Sequence, residues 1–155
     1  METKNLLSIL KEKKVLILGF GKEGKDAFLF LRKLFPEKEI GIADKDKKVK
    51  DKKLKKVKWY LGKNYLLATK NYEIVIKSPG IPIHLPEIEK AFKEGKILTP
   101  TQIFFELQKS KVVGVTGTKG KSTTTKLIYE ILKAGKKKVK LIGNIGKPYL
   151  ASLLT

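Results

Sequence analysis

The chain has 155 residues, 41% of them hydrophobic, and a formal net charge of +20. That is enough apolar material for one ordinary domain, or one small domain plus part of another, and too much for a disordered tail. It contains no cysteine, which removes disulfide and thiolate–metal chemistry and fits a reducing compartment. No segment has the apolar length needed to span a bilayer, and residues 1–8 lack the apolar core of a signal peptide. The expectation is a cytoplasmic protein with no membrane partner. The basic excess could be a nucleic-acid footprint, yet Arg32 is the only arginine among 35 basic residues. Arginine's planar fork suits base and phosphate recognition, whereas lysine is a hydrated point charge suited to solvated surface. The lysines are spread along the chain without a recognition helix or zinc spacing, so a compositional bias and no nucleic-acid partner are expected. A lysine-rich nucleic-acid binder stays as an alternative.

In chain order, Val15 to Gly19 reads as a buried strand, followed by the turn Gly19-Phe20-Gly21-Lys22-Glu23-Gly24. A helix then places Ala27, Phe28, Leu31, Leu34 and Phe35 near the i, i+3, i+4, i+7 template until Pro36 stops it. Ile40 to Ala43 is a second strand ending at Asp44, which completes a βαβ unit and implies a parallel pair. Lys45 to Lys58 reads as a solvated loop or weak helix, and Val57 to Leu61 and Tyr72 to Ile76 as strands. Ser78-Pro79-Gly80-Ile81-Pro82 is a turn stiffened by two prolines. Leu85 to Glu94 reads as a helix, Ile97-Leu98 as a short strand and Thr101 to Lys109 as a helix. Residues 1–109 thus form a Rossmann-like α/β domain with a parallel sheet. Trp59 and Tyr60 are expected to pack that domain, and His84, in a loop, to lie at the surface.

A second unit occupies 110–155. The strand expected at Val112, Val113 and Val115 runs into a glycine turn, and a helix opens at Lys121-Ser122 with Leu127, Ile128, Ile131 and Leu132 on its apolar side. A further strand, Val139 to Ile142, leads to the turn Gly143–Gly146. This reads as the first βαβ portion of a phosphate-loop domain, with open edges and no later acidic metal partner. The expectation is a truncated protein.

Both glycine turns carry chemistry. Gly19–Gly24 fits G-x-G-x-x-G between a strand and a helix, and Asp44 follows about twenty residues later, as a ribose-binding acid would. Asp46 could take that place, and taken alone the pattern suggests NAD. In Gly114-Val-Thr-Gly-Thr-Lys-Gly-Lys-Ser-Thr-Thr-Thr125, glycines let successive N–H groups converge on an anion at a helix amino end. Lys121 can reach a terminal phosphate and the Ser122 hydroxyl can ligate Mg²⁺. Thr123 and Thr124 are either further phosphate donors or helix caps. The general phosphate-loop pattern wants glycine where Val115 stands.

The loop instead resembles the T-G-T-x-G-K-[ST]-T loop of the Mur ligases, ATP-dependent amide-forming enzymes of peptidoglycan synthesis. Here it runs Thr116-Gly117-Thr118-Lys119-Gly120-Lys121-Ser122-Thr123, with Lys119 where the family often carries asparagine. The turn Gly19–Gly24, the turn Ser78-Pro79-Gly80-Ile81 and the segment Gly143-Asn144-Ile145-Gly146-Lys147-Pro148 resemble three more family motifs in the same order, and they favour its D-glutamate-adding branch. The resemblance implies ATP and Mg²⁺ as cofactors, and UDP-N-acetylmuramoyl-L-alanine and D-glutamate as substrates of a monomeric enzyme. Gly117, Thr118, Lys119, Gly120, Lys121, Ser122, Thr123 and Thr124 would hold ATP, with Lys121 catalytic and Ser122 at the metal. Gly19, Phe20, Gly21, Lys22, Glu23, Gly24, Asp44, Ser78, Pro79, Gly80 and Asn144 would hold the UDP substrate. The family's later metal ligands, modified lysine and D-glutamate-binding domain have no counterpart before Thr155, so the chain alone is expected to lack ligase activity.

Overall fold

The computed structural model describes residues 3–143, 145, 146 and 148–154, with side chains from residue 6 onward. Five strands, β1 (Val15–Leu18), β2 (Ile40–Asp44), β3 (Val57–Leu61), β4 (Ile74–Lys77) and β5 (Ile97–Leu98), form one sheet in the order β3-β2-β1-β4-β5. All four pairings are parallel. Each strand therefore needs a crossover. These are supplied by α2 (Lys22–Leu34), α3 (Pro86–Lys93) and irregular segments that include the 3₁₀ turn Tyr65–Asn71.

Strand side chains alternate between two cores. On one face Val15, Ile17, Ile40, Ile42, Ile74 and Ile76 pack beneath α1 (Thr3–Glu12), α2 and α4 (Pro100–Leu107). On the other, Leu16, Leu18, Ala43 and Val75 pack against the Tyr65–Asn71 turn and against Ile88 of α3. Burial of each large aliphatic side chain contributes about 1.5–3 kcal/mol, so the central strand β1, buried on both faces, anchors the fold. The helix α1 extends the expected pattern: Leu6 and Leu10, one turn apart, cover the first face. Trp59 meets Phe20 edge-on at 5.6 Å and Tyr60 meets Tyr72 at 5.9 Å, so both pack this domain as expected, and His84 is exposed.

The second unit departs from expectation. The helix α5 (Lys121–Ala134) opens where the sequence places it, but residues 111–117 form no strand, and of Val139 to Ile142 only Ile142 makes an isolated bridge. A strand needs a neighbour to take its N–H and C=O groups, and the sheet ends at β3 and β5 with no described segment alongside Val112–Val115. Val113 is accordingly 63% exposed and α5 buries no residue.

Two local devices hold the first domain together. Arg32, near the end of α2, donates from Nη1 to the carbonyls of Pro36 and Lys38 (2.6 and 2.8 Å), and from Nη2 to those of Lys55 and Lys56 (3.0 and 3.2 Å). It thus ties the entries of β2 and β3 to one helix. At the other end of α2, a Cβ at Gly24 would lie 2.0 Å from the Gly19 carbonyl oxygen, whereas one at Gly21 would meet nothing within 4 Å. Gly24 is the close-packing glycine; Gly21 is the open one.

Arg32→Lys, which keeps the charge but loses the fork, should lower stability by about 1–3 kcal/mol in urea denaturation. Gly24→Ala should cost at least about 2 kcal/mol by forcing backbone apart. Gly21→Ala should cost no more than about 1 kcal/mol in the same assay.

Candidate functional site

In a parallel sheet every strand delivers its carboxyl end to the same edge, and ligands bind where the strand order reverses. Here the chain proceeds from β1 outward through β2 and β3, then returns to place β4 on the opposite side of β1. The reversal lies between β1 and β4. The Gly19–Gly24 turn leaves β1 and the Ser78–Pro82 turn leaves β4, so two of the expected segments meet there. They are joined directly: Ser78 Oγ donates to the Gly19 carbonyl at 2.9 Å.

Lys77, the last residue of β4, is only 6% exposed. Its Nζ donates to the carbonyls of Ser78 and Ile81 at 3.1 and 2.6 Å, closing the Ser-Pro-Gly-Ile turn around an ammonium. Burial pulls its pKa below the usual lysine value. Asp44, at the end of β2, accepts from the N–H of Phe20 (2.6 Å) and from that of Asp46 (2.8 Å). The Phe20 ring turns inward between Phe28 and Trp59. Phe20 and Asp44 therefore shape the first turn from within.

What faces outward is different. Gly21, Lys22, Lys25, Pro79 and Gly80 are exposed, and Gly21 and Gly80 have open space where a side chain would be. The amino end of α2 has no side-chain cap, so its first N–H groups and its dipole are free to meet an anion. Glu23 is half-buried, with one carboxylate oxygen unpartnered among the described residues. Desolvation, and then the neighbouring charge of Asp26, raise its pKa, against a smaller opposing effect of Lys22.

The second loop has the backbone expected of a phosphate cradle. Gly117 (φ +145°) and Gly120 (φ +75°) adopt conformations that favour glycine, and α5 begins directly after Gly120 without a side-chain cap. Lys121 Nζ donates to the carbonyls of Gly117 and Thr118, and Thr125 Oγ1 to that of Lys121. Among the described residues, the side-chain hydrogen bonds of this loop stay within it and its helix. Thr118, Lys119, Ser122, Thr123 and Thr124 are exposed. No cluster of three or more His, Cys, Asp or Glu able to hold a metal occurs among the described residues. The exposed Ser122 hydroxyl is an oxygen this loop could offer to an ion carried in by a nucleotide.

Asn144 lies outside the described residues. Its neighbour Gly143, with Pro148 and Tyr149, lines a shallow crevice against Lys22, Glu23 and Asp26 of α2. A larger groove between the Tyr65–Asn71 turn and α3 is lined by Thr69, Lys70, Glu87 and Lys90 and includes none of the expected site residues. Sequence reasoning missed Lys77 and Asp26. Each had a signal: a lysine ending an apolar strand, and an acid four residues before Phe30 on the buried side of a helix.

Comparison with known proteins bears on this geometry. Residues 115–153 match the Mur ligase middle domain. The chain is 37% identical over 151 residues to the UDP-N-acetylmuramoylalanine--D-glutamate ligase of Acetivibrio thermocellus, covering 93% of this chain and 32% of that protein. It is 35% identical over 144 residues to the enzyme of the same name from Exiguobacterium sibiricum, covering 91% of this chain and 32% of that protein. The corresponding protein of Clostridium acetobutylicum is 34% identical over 157 residues, with 95% and 33% covered. The chain thus spans about a third of the length of these relatives. Because the aligned stretches run through the β1–α2 turn as well as the lysine–serine loop, the likeness extends beyond a shared nucleotide motif, and the chain belongs to the Mur ligase family.

Proposed function

We propose that this chain represents the UDP-substrate module (residues 1–109) and the opening of the ATP-binding domain (110–155) of an ATP-dependent ligase. That ligase joins D-glutamate to UDP-N-acetylmuramoyl-L-alanine in peptidoglycan precursor synthesis. The observation that carries the reading is the pair of uncapped helix amino ends, each preceded by a glycine turn with exposed lysines, within one chain. A ligase acting on a UDP-linked acid needs one cradle for a diphosphate and another for ATP. The relatives' shared name supplies the substrate.

In this reading Gly21, Lys22, Gly80 and the first N–H groups of α2 meet the diphosphate. Gly19, Gly24 and Ser78 hold the two turns at the distance the ligand requires. Asp44 serves the uridine end by keeping Phe20 and its turn in place. Its two oxygens accept one backbone N–H group each, and the carboxylate keeps further acceptor capacity for a ligand hydroxyl.

In the second cradle, Lys121 would exchange the carbonyls of Gly117 and Thr118 for phosphate oxygens, and Ser122 would be the residue to hold Mg²⁺, which would offset phosphate charge. The reaction passes the γ-phosphoryl group to the substrate carboxylate, and the amine of D-glutamate then displaces it. The chain's share of catalysis is to place anions side by side and offset their charge with a lysine and aligned backbone dipoles. The 155-residue chain without the remainder of the ligase is expected to bind the UDP substrate and not to turn it over. A monomeric state and a cytoplasmic location accompany this reading, and no helix among the described residues is long and apolar enough to cross a membrane.

Titration of the purified chain with UDP-N-acetylmuramoyl-L-alanine, NAD and duplex DNA separates the readings. The uridine ligand should bind, and should protect the Gly19–Gly24 amides from hydrogen exchange. Tighter binding of NAD, or salt-steep binding of DNA insensitive to both loops, would sink the ligase assignment. Lys121→Ala should weaken ATP binding about 10–100-fold through loss of a charge-assisted contact, and leave uridine-ligand affinity unchanged.

A further inference from the structure

One buried charge in this molecule is assigned no task by either cradle. Asp26 lies on α2, just past the helix end that faces the β1–β4 crevice, and is 3% exposed. Its carboxylate is held by backbone N–H groups. Oδ2 accepts from the N–H of Leu150 at 2.8 Å and Oδ1 from the N–H of Ala151 at 2.9 Å, across 124 and 125 residues of chain. Those N–H groups open the 3₁₀ turn Ala151–Leu154, so a residue of the first domain caps a turn that follows the second cradle.

The attachment is more than polar. Leu150 is fully buried in the core beneath α2, and the Tyr149 ring lies 6.2 Å from that of Phe104 on α4. Lys140 Nζ donates to the Ser152 carbonyl at 3.1 Å. The intervening phosphate loop and α5 make no comparable commitment, since α5 buries nothing. Gly143, Pro148 and Tyr149 share their crevice with Lys22 and Glu23 at the start of α2. Hydrogen bonds from backbone N–H groups to an ionised carboxylate are stronger than neutral ones, so the two bonds make a firm tie.

We propose that Asp26 is a positioning residue: its carboxylate fastens residues 148–154 to α2, and so holds Gly143, Pro148 and Tyr149 beside the diphosphate cradle. The second unit thereby contributes a wall to the first unit's site. The proposal rests on the uridine-diphosphate reading of that cradle. Linkage makes it measurable, because a ligand that uses the assembled site must tighten the tie in return.

The test compares the wild-type 155-residue chain, Asp26→Asn and Arg32→Lys, with UDP as the probe, by amide hydrogen exchange and calorimetric titration. Asp26→Asn keeps one acceptor oxygen and should lose at least about tenfold protection at Leu150 and Ala151, with UDP affinity falling about five- to tenfold. Arg32→Lys, at the far end of α2, lowers global stability and should leave UDP affinity intact. In the wild type, UDP should raise protection at Leu150 and Ala151 severalfold. That readout decides the matter if Asp26→Asn does not fold. Unchanged exchange at these two amides in Asp26→Asn would overturn the proposal, as would lost protection with unaltered UDP affinity, which would leave Asp26 a plain structural tie. A wild-type chain that ignores UDP while Asp26→Asn still loosens the two amides would overturn the substrate reading and the positioning role with it, leaving only the tie.

Discussion

The contact between the Ser78 hydroxyl and the Gly19 carbonyl decides how this molecule presents itself. It closes the gap between the ends of β1 and β4, the one place where a parallel sheet with this strand order opens to a ligand. Gly24 seats against the same carbonyl from the other side, which sets the angle at which α2 departs. Lys77 and Asp44 then act as internal braces, one beneath each turn. Three side chains, those of Ser78, Lys77 and Asp44, each bonded to backbone, thus define a surface made mostly of backbone. Backbone N–H groups need no rotamer to be fixed on binding, and that suits a weakly featured anion such as a diphosphate.

Charge works on a different scale. A net +20 is carried by lysines on the exposed side of nearly every element, while the groups with firm partners are few. The lone arginine is the exception that separates the two roles: Arg32 is spent on four carbonyls, where a planar fork is required, and lysine suffices elsewhere. A lysine excess of this size attracts anions in general toward the surface.

Much of this was legible in the chain itself. Periodicity and punctuation marked β1, α2, β2, α3 and α4, with Pro36 after α2, although α4 opens at Pro100 behind a Thr99 capping box and not at Thr101. The β3 strand matched residue for residue. The strands around α5 did not form, because Val112–Val115 and Val139–Leu141 carry strand residues without a ladder to join, and propensity alone does not make a strand. The candidate site divided in the same way. Glycine spacing reveals both turns, because a turn is local. Asp26 and Lys77 bind backbone atoms whose position depends on the whole fold, and Asp and Lys are ordinarily exposed, so their residue types did not disclose their burial.

The bare flank of α5 has an outcome for handling the protein. Leu127 and Ile131, one turn apart on α5 and 58% and 69% exposed, form a greasy strip, and two such strips on separate molecules would adhere. Mutual repulsion between highly cationic particles keeps them apart in dilute buffer, and electrolyte shortens its reach to about 3 Å at 1 M. Purification in concentrated salt, customary for stripping nucleic acid from basic proteins, would therefore favour clumping here.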